Sequence, residues 1–176
     1  MEDKTALFEQ IILPHLDAAY NLARWLAGNE HDAEDIVQES CLRAVKFFGS
    51  FRGGNPRAWL LTIVRNTSYT WLKRRNDGHA HFNLDDGDFE IEDHAVNPAT
   101  LQAALANVEK VRSAIAQLPA EFREIIVLRE MEDYSYKEIA DMVEVPVGTV
   151  MSRLARGRKQ LQKILCAETQ TPGGQP

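Results

Sequence analysis

Cysteine is nearly absent. Cys41 and Cys166 are the only two in 176 residues, too few and too far apart for a disulfide framework or a zinc cluster, which points to a reducing compartment. No apolar run approaches the ~18–20 residues needed to cross a bilayer, so no direct membrane insertion is expected. The opening stretch MEDKTALFEQ lacks a basic segment followed by an apolar one, so no secretory signal is expected either. Strand patterns are scarce. No glycine-rich phosphate loop and no nucleophile motif occurs, so the sequence predicts no cofactor and no catalysis by this chain alone. The expected setting is cytoplasmic.

Charge of one sign is missing from whole segments. Residues 76–105 carry seven Asp+Glu and neither Lys nor Arg, whereas residues 56–75 carry five Lys+Arg and no acid. The stretch VPVGTVMSRLARGRKQL, 145–161, holds Arg153, Arg156, Arg158 and Lys159 without a single carboxylate. The chain as a whole has a formal net charge of −6. Two basic segments flank an acidic one, and a polyanion-binding protein needs a basic patch, not a basic total.

What is present is helical periodicity. Phe8, Ile12, Leu16, Ala19, Ala23 and Leu26 share one face of a helix over 5–27, which Pro14 should kink or interrupt. A second helix is expected over about 32–48, with acid at its start, where the helix dipole favours it. Asn55-Pro56 reads as an N-cap and first helical residue, opening a third helix to about Arg75. Asn97-Pro98 and Leu118-Pro119 open two more, to about 117 and 131. Ser135 to Glu138 fits a capping box for a short helix ending near Val143. Pro146 opens the last helix, to about Leu165. The predicted fold is all-α: an N-terminal helical bundle (1–75), an acidic linker (76–97), a C-terminal helix-turn-helix bundle (98–166) and a disordered tail (167–176).

On a wheel of the last helix, Val147, Val150, Leu154, Leu161 and Ile164 gather on one side. Thr149, Ser152, Arg153, Arg156, Gln160 and Lys163 gather on the other. Two readings are open for that polar side: a solvated amphipathic helix, or a second helix of a helix-turn-helix that enters the major groove. Arg reads guanine bidentately, and Ser or Thr suits phosphates and base edges. The second helix shows a buried face of Ala33, Ile36, Val37, Ala44 and Phe47. Opposite lie Asp35, Gln38, Glu39, Leu42 and Lys46, an apolar Leu42 ringed by polar groups; this is a partner site or a plain solvated face. The third helix has Leu60, Ile63, Val64, Thr67 and Trp71 on its core side, and Trp59 is expected in the core too. Its other positions interleave Arg65, Asn66, Tyr69 and Lys73, a mixture that suits single-stranded DNA. His31 and Asp35 are spaced i,i+4, but no third ligand follows, so no metal site is expected. His79, His81 and His94 are expected to be solvated in the linker.

The segment LPAEFREIIVLREMEDYSYKEIADMVEVPVGTVMSRLARGRKQL closely resembles the C-terminal promoter-binding domain of extracytoplasmic-function (ECF, group IV) sigma factors. DAEDIVQESCLRAVKFF, followed by FRGGNPRAWLLTIVRNTSYTWLKRR, resembles their N-terminal domain. The resemblance covers roughly residues 5–165. It implies an alternative sigma factor whose partners are core RNA polymerase, promoter DNA and an anti-sigma factor. It implies polymerase binding by Asp35, Gln38, Glu39 and Leu42. It implies −10 recognition and melting by Phe51, Arg52, Gly53, Gly54, Asn55, Arg65, Asn66, Tyr69 and Lys73, with Asn66 lining a flipped-base pocket. It implies −35 recognition by Thr149, Ser152, Arg153, Arg156 and Gln160. The linker is then either a spacer kept open by self-repulsion or an acidic thread drawn into basic polymerase channels. Three residues depart from the family pattern: Thr70 stands where Asp is frequent, Met151 where Lys is frequent, and Glu144 where the turn usually has Gly. Two rivals from other classes are a stand-alone helix-turn-helix regulator and a metal-dependent enzyme on the helical N-terminal half. The second basic block, at 56–75, favours the sigma reading, because a simple regulator needs no melting surface.

Overall fold

A computed structural model describes residues 2–78 and 98–169, and every regular element among them is helical. Helix α1 spans Glu2–Ile12, and a 3₁₀ turn over Leu13–His15 separates it from α2, Leu16–Ala27. Pro14 lies in that turn, where its missing N–H and fixed φ break the helical ladder as expected. Helix α3 spans Glu30–Phe47. Its N-cap is Asn29, whose side chain accepts the Asp32 N–H at 2.9 Å, and Glu30 and Asp32 fill the first turn. Helix α4 spans Pro56–Gly78, and the Asn55 side chain accepts the Ala58 N–H at 3.1 Å. These four helices form the N-terminal half.

The C-terminal half holds α5 (Pro98–Ala116), α6 (Ala120–Ile126, continued as a π turn over Val127–Met131), α7 (Tyr136–Val143) and α8 (Val147–Thr169). The predicted capping box is present. Ser135 Oγ accepts the Glu138 N–H at 3.2 Å, and the Glu138 carboxylate accepts the Ser135 N–H at 2.7 Å. Those hydrogen bonds, the backbone one first, hold the Glu138 carboxyl below its ordinary range. Most of the expected acidic linker, including the three linker histidines and the carboxylates from Asp85 onward, lies outside the described residues, as does 170–176.

Ile12, Leu22, Leu26, Ile36, Leu60 and Leu61 are fully buried in the N-terminal half, and Leu118, Ile125, Leu128, Ile139 and Val150 in the C-terminal half. Two expected core residues are not there. Phe47 is 51% exposed, because α3 ends at that residue and Phe48, in the following 3₁₀ turn, swings inward instead to meet the Phe8 ring edge-on at 5.3 Å. The buried stripe of α3 is Ala33, Ile36, Ser40 and Ala44, with Val37 only half-buried. Ser40 is tolerated inside because its hydroxyl donates to the Ile36 carbonyl at 2.6 Å. Val147 is 40% exposed at the first turn of α8, where the helix has not yet reached its neighbours. The contact is made farther along. Gly157 is buried, and a Cβ there would sit 3.0 Å from Ile126 Cδ1 and 3.3 Å from Phe122 Cβ. Glycine thus lets α8 approach α6 closely. Trp59 and Trp71 are half-buried and pack on the core, as expected.

The halves are docked, with α2 against α6 and α4 against α7. One buried apolar cluster runs through both halves, from Leu22, Leu26, Leu60 and Leu61 to Ile125, Leu128 and Ile139, and polar groups also cross the seam. Arg123, on α6, is buried and donates to the carbonyls of Ala116 and Leu118 at 2.8 and 2.9 Å and across the seam to Trp25 at 3.3 Å. Burial lowers its proton affinity.

Candidate nucleic-acid and partner interfaces

Three groups of side chains stand out, and the helices place them on separate surfaces. The first is on α8. With Val150, Leu154 and Gly157 turned into the core, Ser152, Arg156 and Gln160 are left exposed and Thr149 and Arg153 partly so. Val145 N–H donates to the Ala140 carbonyl at 3.1 Å across the turn between α7 and α8. Glu144 occupies that turn with φ 56° and ψ 47°, a left-handed conformation held by a non-glycine residue. Ser152 Oγ donates to the Thr149 carbonyl at 3.1 Å. Arg153 lies 3.7 Å from the Glu121 carboxylate, and Arg158 is paired with Glu130. Arg156 and Gln160 therefore present the most open polar groups on this face.

The second group is on α3. Leu42 is 73% exposed, Gln38 is exposed, and Asp35 and Glu39 are partly exposed. Glu39 is tied to Arg43 one turn later. Val45 and Phe47, 59% and 51% exposed, extend the apolar patch to the end of the helix. Their exposure depends on where α3 stops, which periodicity alone does not fix.

The third group is α4 and the loop before it. Arg52, Gly53, Gly54 and Asn55 are exposed. Gly53 and Gly54 have φ of 85° and 96°, backbone that a side chain would strain, so this loop is shaped by glycine. Phe51 is half-buried, stacked on Phe48 at 6.1 Å and tilted on Trp59 at 5.2 Å. Asn66 and Lys73 are exposed. Arg65 and Tyr69 are not on an open face. Arg65 Nε and Nη2 donate to the two Glu124 oxygens at 2.8 and 3.2 Å, and Glu124 is fully buried. The guanidinium lies 4.6 Å from the centre of the Tyr69 ring and donates to Asn66 Oδ1 at 3.1 Å. Burial, then the Glu124 charge, pushes the Tyr69 hydroxyl far above the ordinary phenol range. About two turns before Arg65 on α4, Arg57 is paired with Glu132, donates to the Glu132 carbonyl and the Tyr134 hydroxyl at 3.3 Å, and lies over the Tyr134 ring. Glu124, Arg57 and Glu132 were missed from the sequence, because each pair joins residues 59 or 75 positions apart. Among the described residues no group of three or more His, Cys, Asp or Glu is arranged to hold a metal ion.

Residues 11–77 match the family Sigma-70 region 2, and residues 108–161 match Sigma-70, region 4. Fold and sites together define a sigma-70-type transcription initiation factor, a regulator rather than an enzyme at the level of the family. The chain is 33% identical over 158 residues to the ECF RNA polymerase sigma factor SigE of Mycolicibacterium smegmatis, covering 90% of this chain and 61% of that protein. It is 30% identical to the ECF RNA polymerase sigma factor SigW of Bacillus subtilis, covering 90% of this chain and 88% of that one. The chain belongs to the ECF RNA polymerase sigma factors. Its structure resembles that of the sigma factor RpoE from Bartonella quintana, solved with the anti-sigma factor NepR, at a TM-score of 0.75 and 29% identity over 90% of this chain and 96% of that one.

Proposed function

We propose that this chain is an alternative sigma factor of the group IV type, which joins core RNA polymerase and directs it to a two-element promoter. Residues 1–75 bind polymerase through Asp35, Gln38, Glu39 and Leu42, and open the −10 element with the Phe51–Asn55 loop, Arg65, Asn66, Tyr69 and Lys73. Residues 98–166 bind the −35 duplex through Thr149, Ser152, Arg153, Arg156 and Gln160. The observation that carries this reading is α8: its apolar side is fixed against α6 through Gly157, while Ser152, Arg156 and Gln160 point away from the core. That presents guanidinium, amide and hydroxyl groups at groove-reading spacing on a rigid support. The exposed Leu42, flanked by carboxylates and amide, supports a protein partner on the opposite part of the chain.

The chain works in the cytoplasm, catalyses nothing by itself, and is held inactive by an anti-sigma partner. That last element is supported by the likeness to RpoE, a sigma factor solved with its anti-sigma factor. The test is reconstitution with core polymerase and transcription of a genomic template library. A stable complex and a small set of discrete start sites sharing two spaced elements are expected. Failure to bind core polymerase would overturn the reading, since a stand-alone regulator needs no such complex.

A further inference from the structure

We infer that Met151 is a specificity-determining residue of α8: it stands on an apolar edge shared with Val147 and reads the methyl group of a thymine in the duplex that this helix binds. The inference rests on the proposed −35 role of α8 and names a base that the helix selects. Met151 is 52% exposed and Val147 40% exposed. They lie about one turn apart, so their side chains share one edge of the helix. Ala155, a further turn on, is exposed as well. Thr149, Arg153, Arg156 and Gln160 lie along the other edge, with the exposed Ser152 between the two. The outward surface of α8 is thus divided lengthwise, hydrocarbon on one side and hydrogen-bonding groups on the other.

The Met151 thioether donates no hydrogen bond and accepts only weakly, so it gains little from a phosphate or a polar base edge. In the major groove the one apolar group on any base edge is the C5-methyl of thymine, and apolar side chains recognise it by contact. The surroundings select a nucleic acid over a protein as the occupant. Residues 145–161 carry Arg153, Arg156, Arg158 and Lys159 and no carboxylate, and Arg156 and Lys159 are exposed on the same outward surface. That charge suits a polyanion. Val150 and Leu154 anchor the helix from its inner side, at 0% and 2% exposure, so the apolar edge is presented on a fixed support. Methionine is unbranched and adjusts its shape to the group it meets. A lysine at this position would add affinity for every sequence alike through phosphate; Met151 adds affinity only where a thymine stands.

The test uses holoenzyme assembled from the full chain and core polymerase, on a promoter duplex recovered from the genomic template library. Each thymidine of the −35 element is replaced in turn by deoxyuridine, which keeps every hydrogen-bonding group and removes only the methyl. Wild type should lose about fourfold in affinity at one position, the worth of one buried methyl, or about 0.8 kcal/mol. Met151→Ala should bind the thymidine duplex more weakly by a similar factor and should no longer distinguish thymidine from deoxyuridine at that position. Met151→Lys should also lose the distinction, while its affinity rises and its salt slope steepens by about one. A −35 element without thymine, or one in which every deoxyuridine is silent, would overturn the inference and leave the sigma reading intact. Discrimination that persists unchanged in Met151→Ala would place the methyl contact on another residue and overturn it too. Lower core-polymerase affinity in Met151→Ala, with discrimination intact, would make this edge a protein contact instead. Failure of the holoenzyme to select any promoter is a different result, which overturns the −35 role itself.

Discussion

Glu144 holds the turn that aims α8, and it does so in a conformation an L-residue adopts at a cost. Its φ of 56° and ψ of 47° are left-handed, which costs a side-chain-bearing residue about 1–2 kcal/mol. Glycine escapes that cost but loses about 0.5–1 kcal/mol through its freer unfolded chain. The Glu144 side chain is exposed, so its removal costs no packing. Glu144→Gly should therefore stabilise the protein by about 0.5–1 kcal/mol. For a chain of 176 residues, at roughly 2–4 °C per kcal/mol, Tm should rise by about 1–4 °C. The assay is thermal melting of wild type, Glu144→Gly and Glu144→Gln at one pH and salt concentration. Glu144→Gln keeps the strain and removes the charge, and should leave Tm within about 1 °C. Because both variants keep the turn, −35 affinity should stay within twofold. Equal gains from Gly and Gln would show that charge, not backbone strain, is the cause; no gain from Gly would show that the turn is not strained at all.

Ser135→Ala removes the cap of α7 and should cost about 1 kcal/mol, read as a lower denaturation midpoint. The folded-state pKa of Glu138 is depressed, so its share of the capping stability is present above the unfolded carboxylate pKa and is lost as pH falls through the folded value; Glu138→Gln should flatten that acid limb. Leu42→Arg should lower core-polymerase affinity while leaving Tm nearly unchanged, because Leu42 is 73% exposed; a collapse of Tm would place it in the core. Arg156→Ala should weaken promoter binding by about 1–3 kcal/mol if it reads a base, whereas a phosphate role would weaken all sequences alike and reduce the salt slope by about one.

The helices were legible because their signals are local. Pro14, Asn55-Pro56 and the Ser135/Glu138 box each act within four residues, and each appears where the sequence put it. Errors gathered at helix ends. Phe47 and Val147 fit a continuous wheel, but a wheel does not register that α3 stops and Phe48 takes the inward place, or that α8 begins before its packing partners do. Gly157 carried no signal at all: an isolated glycine in a helical pattern says only that helix propensity is sacrificed, and the reason, Ile126 and Phe122 on another helix, is tertiary.

Charge was legible in amount but not in availability. Residues 56–75 count five Lys+Arg and no acid, which reads as a ready-made surface for nucleic acid. Three of the five are engaged: Arg57 with Glu132, Arg65 with Glu124 and Arg75 with Asp32. Two of those carboxylates come from the other half of the chain, and Glu124 is a polar residue that the fold buries completely. A count along the sequence treats each charge as facing water, whereas a buried pair is nearly neutral to anything beyond it. The basic block of the sequence is thus only partly a basic surface, because Arg57 and Arg65 are paired with carboxylates of the C-terminal half while Lys73 stays exposed. A charge count along the sequence therefore says little about which of these cations faces solvent; the pairing made in the fold decides it.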